Sequence, residues 1–304
     1  MTNLLPCGVL NAANGMRGGI RVRINRHFSK TRRTGLNFGI VFASLLTIST
    51  APGLAATADT PKAAPWTGDF SDFPSTSWKQ KWGFVDEGDF GFDRMTPQGQ
   101  ELNVFYGKGS SAPSCKDCPS EGGGQFYTNF RDLGRPDLAD APTVHLRYEV
   151  KFPTDWDFGT KGGKLPGLYG GPPGQASGGQ HGQAWSTRYM WRVRGDQPKG
   201  CLYVYDPSLG DGYGKDVGTG AWNWQSDGQW HSIEQSVDRR TGTLTVWYDN
   251  KQVLQENGIS QISGIPFAGV FFSTFFGGHA TEWGPRRDVN AQFRNFQADT
   301  TKIG

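Results

Sequence analysis

Strict alternation of apolar and polar residues is the feature that most constrains the fold of this chain. It is clearest in residues 144–151, where Val144, Leu146, Tyr148 and Val150 alternate with His145, Arg147, Glu149 and Lys151. A period of two places one set of side chains in a core and the other in water, as in a half-buried β-strand. Leu244, Val246 and Tyr248 repeat the pattern, and Asp249-Asn250-Lys251 predicts a tight turn into the next strand. Phe293 and Phe296 indicate a last strand before a polar tail.

Turn-forming residues separate these strands, and no long stretch has a helical period. The chain contains 44 Gly and 18 Pro, and 13% of its residues are aromatic. Such a sequence predicts an all-β, single-domain β-jelly roll of two packed antiparallel sheets. We assign residues 67–300 to this domain and residues 56–66, rich in Ala, Thr, Pro and Lys, to a linker. The Gly-rich span 159–182 is too long for a simple turn, which favours a functional loop.

Residues 1–55 have the layout of an export signal. Seven basic residues and no acidic ones are followed by an apolar run from Leu36 to Ile48 and then by small residues up to Ala55. This order predicts a secretory signal peptide, and Arg32-Arg33 could be read by a twin-arginine exporter. The alternative is an uncleaved membrane anchor, for which about a dozen apolar residues are short. We therefore predict a secreted or periplasmic protein whose mature form is not in a membrane.

The basic balance of the chain belongs to that signal. Seven of its 31 basic residues and none of its 28 acidic residues precede residue 56, which leaves 24 basic and 28 acidic residues in the mature part. A slightly acidic domain gives no support to nucleic-acid binding, so an anionic ligand must be held by local clusters.

Three cysteines remain after the signal. Cys115 and Cys118 lie in one Ser/Pro/Lys-rich loop, and Cys201 lies in an apolar segment. For an exported protein we predict a local Cys115–Cys118 disulfide, with Cys201 as a buried thiol. A zinc site is the rival interpretation, but it lacks a second ligand pair at metal spacing, and we predict neither metal nor cofactor.

Chemically versatile residues are concentrated in three neighbouring segments, namely residues 162–168, 185–194 and 201–206. On strands, alternation puts Ser186, Arg188 and Arg192 on one face. Residues 195–200 are predicted to connect a hairpin, and pairing residue 194 with residue 201 places Arg192 opposite Tyr203 and Met190 opposite Tyr205. The predicted polar surface carries Ser186, Arg188, Arg192, Tyr203 and Tyr205, with Lys164 arriving from the Gly-rich edge.

These residue types suit β-elimination of a 4-linked uronate. The reaction needs a group that neutralises the carboxylate, a base for the C5 proton and an acid for the departing O4. Arg188 suits the first role because a guanidinium binds a carboxylate with two hydrogen bonds. Tyrosine or lysine near other cations can serve as acid or base. Taken singly, each residue has a structural interpretation: strand packing for the tyrosines, a solvated face for the arginines and a turn for Lys164. Their joint placement favours a site.

Four short motifs in this order resemble a known family. They are Gly163-Lys164-Leu165-Pro166-Gly167, Ser186-Thr187-Arg188, Tyr203-Val204-Tyr205, and residues 271–278 followed by Trp283. The chain resembles, over roughly residues 67–298, the alginate and glucuronan lyases of polysaccharide lyase family 14, which are β-jelly rolls. The resemblance implies catalytic roles for Lys164 and Tyr203, without deciding which is base and which is acid. It implies substrate binding by Ser186, Arg188 and Tyr205, to which the strand pattern adds Arg192.

The prediction is thus an exported, monomeric lyase that acts on an acidic polysaccharide. Alternatives are a non-catalytic carbohydrate-binding module and a glycoside hydrolase, although no strand near the cluster offers the two carboxylates that hydrolysis requires. Neither the uronate polymer nor endo against exo cleavage follows from the residues. Residues 271–276 are predicted to form a central core strand, with His279 and Trp283 as residues that could line a sugar groove. The stretch 170–183, which contains His181, could border it.

Overall fold

Fifteen strands in two antiparallel sheets make up the described part of the chain. The computed structural model describes residues 62–119, 121–175, 177, 182–209 and 212–304. The predicted signal peptide, most of the predicted linker and His181 lie outside these residues. The back sheet contains β1 (Trp66–Gly68), β3 (Met95–Gln98), β4 (Glu101–Tyr106), β6 (Thr143–Lys151), β11 (His231–Asp238), β12 (Thr243–Tyr248), β13 (Lys251–Asn257) and β15 (Val289–Asp299). The front sheet contains β2 (Phe84–Phe90), β5 (Gly124–Thr128), β7 (Gly162–Gly170), β8 (Trp185–Arg194), β9 (Gln197–Tyr205), β10 (Lys215–Val217) and β14 (Phe267–Phe276).

In both sheets, many neighbouring strands are far apart in sequence. The back sheet runs β13-β12-β11-β6-β15-β4-β3, with β1 paired to β15, and the front sheet runs β10-β9-β8-β7-β14-β5-β2. Helices are short: α1 (Thr76–Trp82) begins at the N-cap Ser75, whose hydroxyl accepts a hydrogen bond from the Trp78 amide at 3.1 Å, and α2 covers Pro136–Asp140. The prediction of an all-β jelly roll of two packed antiparallel sheets is confirmed. No helix in the described residues is long and apolar enough to cross a membrane.

Aromatic side chains from alternating strand positions fill the space between the sheets. Phe272 of β14 packs edge-on against Phe293 of β15, with ring centroids 5.3 Å apart. Thr187 of β8 donates to the Gln235 side chain at 2.6 Å, and the Gln235 amide donates back to the Thr187 carbonyl at 3.0 Å. Thr187 and Gln235 can lie in the core because each satisfies a polar group of the other.

Sequence patterns placed several elements correctly. Residues 144–151 lie in β6, and Asp249 and Asn250, with φ of 49° and 63°, form the two-residue turn between β12 and β13. A bulge in β15 between Arg294 and Gln297 brings both Phe293 and Phe296 to the core although they are three residues apart. The prediction for His145 was wrong: it faces outward yet is 8% exposed, because its Nδ1 lies 2.8 Å from the buried carboxylate of Glu234.

The predicted register of the β8–β9 hairpin was also wrong. The turn is only two residues long, Gly195 and Asp196, and the strands pair Arg188 with Tyr203 and Ser186 with Tyr205. The expected connection over residues 195–200 instead contributes Gln197 and Pro198 to β9. Because the error is four residues, an even number, every side chain keeps the predicted face.

The start of the domain and the cysteines can also be compared with the predictions. The structured region includes Trp66, the last residue of the predicted linker, which is buried in β1. Cys115 and Cys118 form the predicted disulfide, and Cys201 is a buried free thiol, as predicted.

Candidate active site

A cavity of about 570 Å³ opens on the outer face of the front sheet. Its floor comes from β7, β8 and β9, and one wall comes from the segment that follows β14, where His279 and Trp283 line the cavity as predicted. The opposite rim includes Asp89 and Phe90 near the end of β2. Of the six predicted site residues, the cavity brings together Lys164, Arg188, Arg192, Tyr203 and Tyr205.

Strand β8 can supply this floor because both of its faces are buried. Trp185 through Trp191 are all inaccessible, with odd-numbered side chains in the core and even-numbered ones under the cavity. Ser186 shares the outer face and pairs with Tyr205, but it is not among the described residues that line the cavity. Its predicted role as a substrate ligand therefore has less geometric support than that of Arg188.

Lys164 reaches the cavity from β7. Its neighbour Gly163 lets it do so, since a Cβ at residue 163 would lie 2.1 Å from the Trp191 ring that packs there. The Lys164 ammonium lies 4.4 Å from the ring centroid of Tyr203 and 5.4 Å from that of Phe275. Desolvation by the surrounding protein, together with the charges of Arg188 and Arg192, holds the pKa of Lys164 well below 10.5.

Tyr203 and Tyr205 stand side by side on β9. Their ring centroids are 5.3 Å apart at an interplanar angle of 81°. Burial and the neighbouring Tyr205 raise the pKa of Tyr203 above 10.0, even though Arg192 and Arg188 act in the opposite direction. Tyr203 therefore stays protonated under conditions in which part of the Lys164 population has lost its proton.

Arg188 is a buried cation with no anionic partner in the part of the chain that the structure describes. Its residue exposure is 1%, and its guanidinium carbon lies 4.4 Å from the Phe271 ring centroid. Nη1 donates to Ser273 Oγ at 3.1 Å, whereas Nε and Nη2 have no hydrogen-bond partner among the described residues. Burial lowers the pKa of Arg188, but a guanidinium keeps its charge in proteins. An unpaired buried charge of this kind is costly unless a ligand compensates it.

Arg192 shows the pairing that Arg188 lacks. Its Nε and Nη2 donate to the two carboxylate oxygens of Asp216 at 2.9 and 2.8 Å. The bond to Asp216 raises the pKa of Arg192 against the effect of burial. Its guanidinium carbon is 5.4 Å from the Tyr203 ring centroid, so Arg192 adds positive charge beside Tyr203. The Nε and Nη2 donors of Arg192 are already bound to Asp216.

Sequence reasoning missed three residues of this surface. Gln125 and Ser273 lie on or under its floor, and Asp216 holds Arg192. Ser273 alternates with Phe271 and Phe275 in the predicted central strand, which was a usable signal, whereas nothing in the sequence indicated that β5 and β10 lie beside it. Residues 271–276 do form the predicted central strand, and their odd-numbered side chains face outward to the site.

The arrangement suits proton transfer beside a bound carboxylate. A weakly basic amine, a protonated phenol and an unpaired guanidinium edge share one cavity. Asp89 is the one acid among the described residues that line it, which does not match the two carboxylates of a glycoside hydrolase. No cluster of metal-ligating residues occurs in the described part of the chain.

Comparisons with known proteins agree with this fold. The family model described as polysaccharide lyase 14 matches residues 94–296. The marine PL-14 alginate lyase from Aplysia kurodai is 25% identical, with a TM-score of 0.64, and the match covers 80% of this chain and 100% of that one. The alginate lyase vAL-1 from Chlorella virus is 22% identical, with a TM-score of 0.53, over 72% of this chain and 91% of that one. The carbohydrate recognition domain of Emp46p, 12% identical at a TM-score of 0.51 over 78% and 98%, shares the fold alone. No curated protein sequence gave a match.

Proposed function

Because this chain belongs to polysaccharide lyase family 14 and is a polysaccharide lyase, we propose that it cleaves a 1,4-linked polyuronate, alginate or glucuronan, by β-elimination in the cavity of the front sheet. The names of the related structures, two alginate lyases among them, support an acidic polysaccharide as the substrate. The product is a shortened polymer and a new end that carries an unsaturated uronate.

The unpaired edge of Arg188 is the observation that carries this proposal. Its Nε and Nη2 are buried without a hydrogen-bond partner among the described residues, and together they carry two parallel N–H groups that a carboxylate can accept, as the carboxylate of Asp216 does from Arg192. A uronate carboxylate placed on Arg188 would be neutralised in a site of low dielectric constant. Neutralisation makes the C5 proton acidic enough to be removed, because negative charge develops on the carboxylate as that proton leaves.

We assign the base to Lys164 and the acid to Tyr203. A lowered pKa lets Lys164 lose its proton more readily than an ordinary lysine, and a raised pKa keeps the Tyr203 phenol protonated. Lys164 accepts the C5 proton, the electrons of that C–H bond form the C4–C5 double bond, and the C4–O4 bond breaks. Tyr203 gives its proton to O4. The ammonium and phenolate that remain return to their starting forms by proton exchange with water.

Ser186, Tyr205 and Arg192 are proposed to bind or position the sugar. Tyr205 contacts the Arg188 guanidinium through its ring, 5.8 Å from centroid to carbon, and Arg192 lies over the Tyr203 ring. Since the six proposed site residues come from one chain, we propose that the enzyme works as a monomer.

We further propose that the enzyme acts outside the cytoplasm. The basic, apolar and small-residue order of residues 1–55 supports export, with residues 56–66 as a linker to the domain. The Cys115–Cys118 disulfide is consistent with an oxidising compartment.

The test is to incubate the purified domain with alginate and with glucuronan and to follow ultraviolet absorbance. Elimination leaves a double bond conjugated with the carboxylate, which absorbs, whereas hydrolysis leaves none. We expect absorbance to rise with the wild type. The rate of this rise should be about 10²–10⁴-fold lower in Lys164→Ala, since a positioned proton-transfer group contributes about that factor. Lys251→Ala, an exposed lysine on β13, is the matched control and should behave as wild type.

Other outcomes separate the alternatives. New reducing ends without absorbance would identify a hydrolase. Retention on an immobilised polyuronate without any product would identify a binding module. Full activity of Lys164→Ala would remove that residue from the mechanism and leave the base to be found elsewhere in the cavity.

A further inference from the structure

A short chain of hydrogen bonds leads from the rim of the cavity to Arg188. The Gln125 side-chain amide donates to the Gly88 carbonyl at 2.6 Å, Ser273 Oγ donates to Gln125 Oε1 at 2.9 Å, and Arg188 Nη1 donates to Ser273 Oγ at 3.1 Å. We call this chain the relay. Ser273 is fully buried in β14, Gln125 lies opposite it on β5, and Gly88 lies on β2 at the edge of the sheet.

The donor and the acceptor of each hydrogen bond in the relay are fixed by the chemistry of its two ends. A backbone carbonyl only accepts, so the Gln125 amide nitrogen must face Gly88 and its oxygen must face Ser273. The hydroxyl proton of Ser273 is then committed to Gln125. Its lone pair faces Arg188, which can only donate.

This polarity decides which part of the guanidinium is available. Nη1 is held by Ser273, and the stacking of Arg188 on Phe271 fixes the plane of the group. What remains is the edge formed by Nε and Nη2, which has no partner among the described residues. On Arg192 the same edge is closed by Asp216.

We propose that Ser273 and Gln125 are positioning residues, which hold Nη1 of Arg188 so that its Nε–Nη2 edge faces the carboxylate of the bound uronate. The inference rests on the proposed function and adds two residues that act through Arg188 rather than on the sugar. Without the relay the guanidinium could turn toward other acceptors, and fewer molecules would present two parallel donors.

A double-mutant cycle tests this dependence. Ser273→Ala should lower kcat/KM on polyuronate by about tenfold, the effect of one hydrogen bond to a charged group. Added to Arg188→Met, the same substitution should change kcat/KM hardly at all, because there is no guanidinium left to orient. Equal losses in both backgrounds would overturn the proposal, since Ser273 would then act independently of Arg188. Ser273→Thr, which keeps a hydroxyl, should recover most of the activity.

The neighbouring residue provides a matched control. Thr274 is equally buried but faces the core, where its hydroxyl bonds with Tyr106. Thr274→Val should lower the melting temperature and leave kcat/KM of the folded enzyme unchanged. If Ser273→Ala does not fold, Gln125→Met, which removes both relay bonds of Gln125, takes its place in the cycle with the same expectation.

Binding keeps this test separate from that of the proposed function. If the wild type gives no elimination product, the proposed chemistry is wrong, and the same cycle is measured by calorimetry as affinity for polyuronate. Coupling in affinity supports the relay, and additivity overturns it. A wild type that neither cleaves nor binds polyuronate overturns both.

Discussion

The outer faces of the two sheets differ in whether their buried charged side chains have partners of opposite charge. On the back sheet, Arg294 donates to Glu149 at 2.7 Å, and His145 lies 2.8 Å from Glu234. On the front sheet, Lys164 and Arg188 lie in the cavity floor and take part in none of the ion pairs found among the described residues, while Arg192 alone has its Asp216. Both faces are built from alternate residues of antiparallel strands, so the strand pattern does not cause the difference.

The difference separates residues that serve stability from residues that serve a ligand. A buried charge that lacks an opposite charge destabilises the folded state. The front sheet accepts that cost at Arg188, and at Lys164 it lowers the pKa instead, whereas the back sheet avoids it with partners from adjacent strands. Perturbed, unpaired ionisable groups in a cleft are typical of functional sites. Substituting residues on each face should therefore have opposite effects on activity and on stability.

Among substitutions that compare the two faces, the largest effect is expected from removing the unpaired charge of Arg188 on the front sheet. Arg188→Met should lower kcat/KM on polyuronate by about 10²–10³-fold, the cost of losing one electrostatic stabiliser of the transition state. The free energy of unfolding should stay the same or rise, because methionine fills the space without a buried charge. Arg294→Met on the back sheet is the counterpart: full activity and a stability loss within about 1 kcal/mol. A markedly destabilised Arg188→Met would contradict the comparison.

A smaller effect is expected at Glu234, a buried and hydrogen-bonded carboxylate of the back sheet. Glu234 accepts hydrogen bonds from the Ile303 and Gly304 amides at 3.0 and 3.1 Å and lies beside His145. Glu234→Gln should cost about 1–3 kcal/mol of unfolding free energy with no change in kcat/KM, measured by denaturant unfolding and by the elimination assay.

The pH dependence of that loss has a definite sign. Burial acts to raise the pKa of Glu234, but the bonds from His145 and the two amides outweigh it and lower the pKa below 4.5. The stabilisation is therefore complete above 4.5 and is lost as pH falls through the lower folded-state value. Wild type and Glu234→Gln should become equally stable in acid. A stability difference that persists there would rule out a role for the Glu234 charge.

The smallest effect concerns the one ion pair of the cavity. A base with a lowered pKa predicts that kcat/KM rises with pH through a limb well below 10.5, as Lys164 loses its proton. Asp216 raises the pKa of Lys164, so Asp216→Asn should lower that pKa and move the limb toward lower pH. Rate profiles of the two proteins over a common buffer series measure the shift. A limb that stays in place or moves toward higher pH would exclude Lys164 as the base.

The β8–β9 hairpin shows which features of the fold could be predicted from the sequence and which could not. Alternation assigned Arg188, Tyr203 and Tyr205 to one face, and the structure agrees. Turn residues then suggested a long connection, because Pro198 is rare inside strands. The structure tolerates Pro198 because the segment beside this end of β9, residues 222–224, uses only the carbonyl oxygen of Pro198, which accepts a hydrogen bond from the Trp224 amide at 3.0 Å. Strand coverage of this kind depends on the whole sheet and cannot be derived from the local pattern.

The site residues that the sequence analysis did not predict were missed for the same reason. Gln125 comes from β5, far from β8 and β9 in sequence, and Asp216 comes from β10, the next strand after β9; both reach the site only through the order of the front sheet. His145 looked solvated because its burial depends on Glu234, which is 89 residues away. Short-range periodicity gives faces and turns, whereas the partner that a charge acquires is set by non-local pairing.

The alternation of faces along the β8–β9 hairpin limits which insertions and deletions this enzyme can accept in evolution. Loss or gain of a single residue within either strand would exchange Arg188 and Tyr203 for core residues such as Tyr189 and Leu202. Changes of two residues at the Gly195–Asp196 tip would lengthen or shorten the hairpin and keep the polar face intact. Length variation in the lineage should therefore accumulate at that tip in steps of two, while the spacing from Lys164 to Arg188 absorbs insertions only in the loop between β7 and β8.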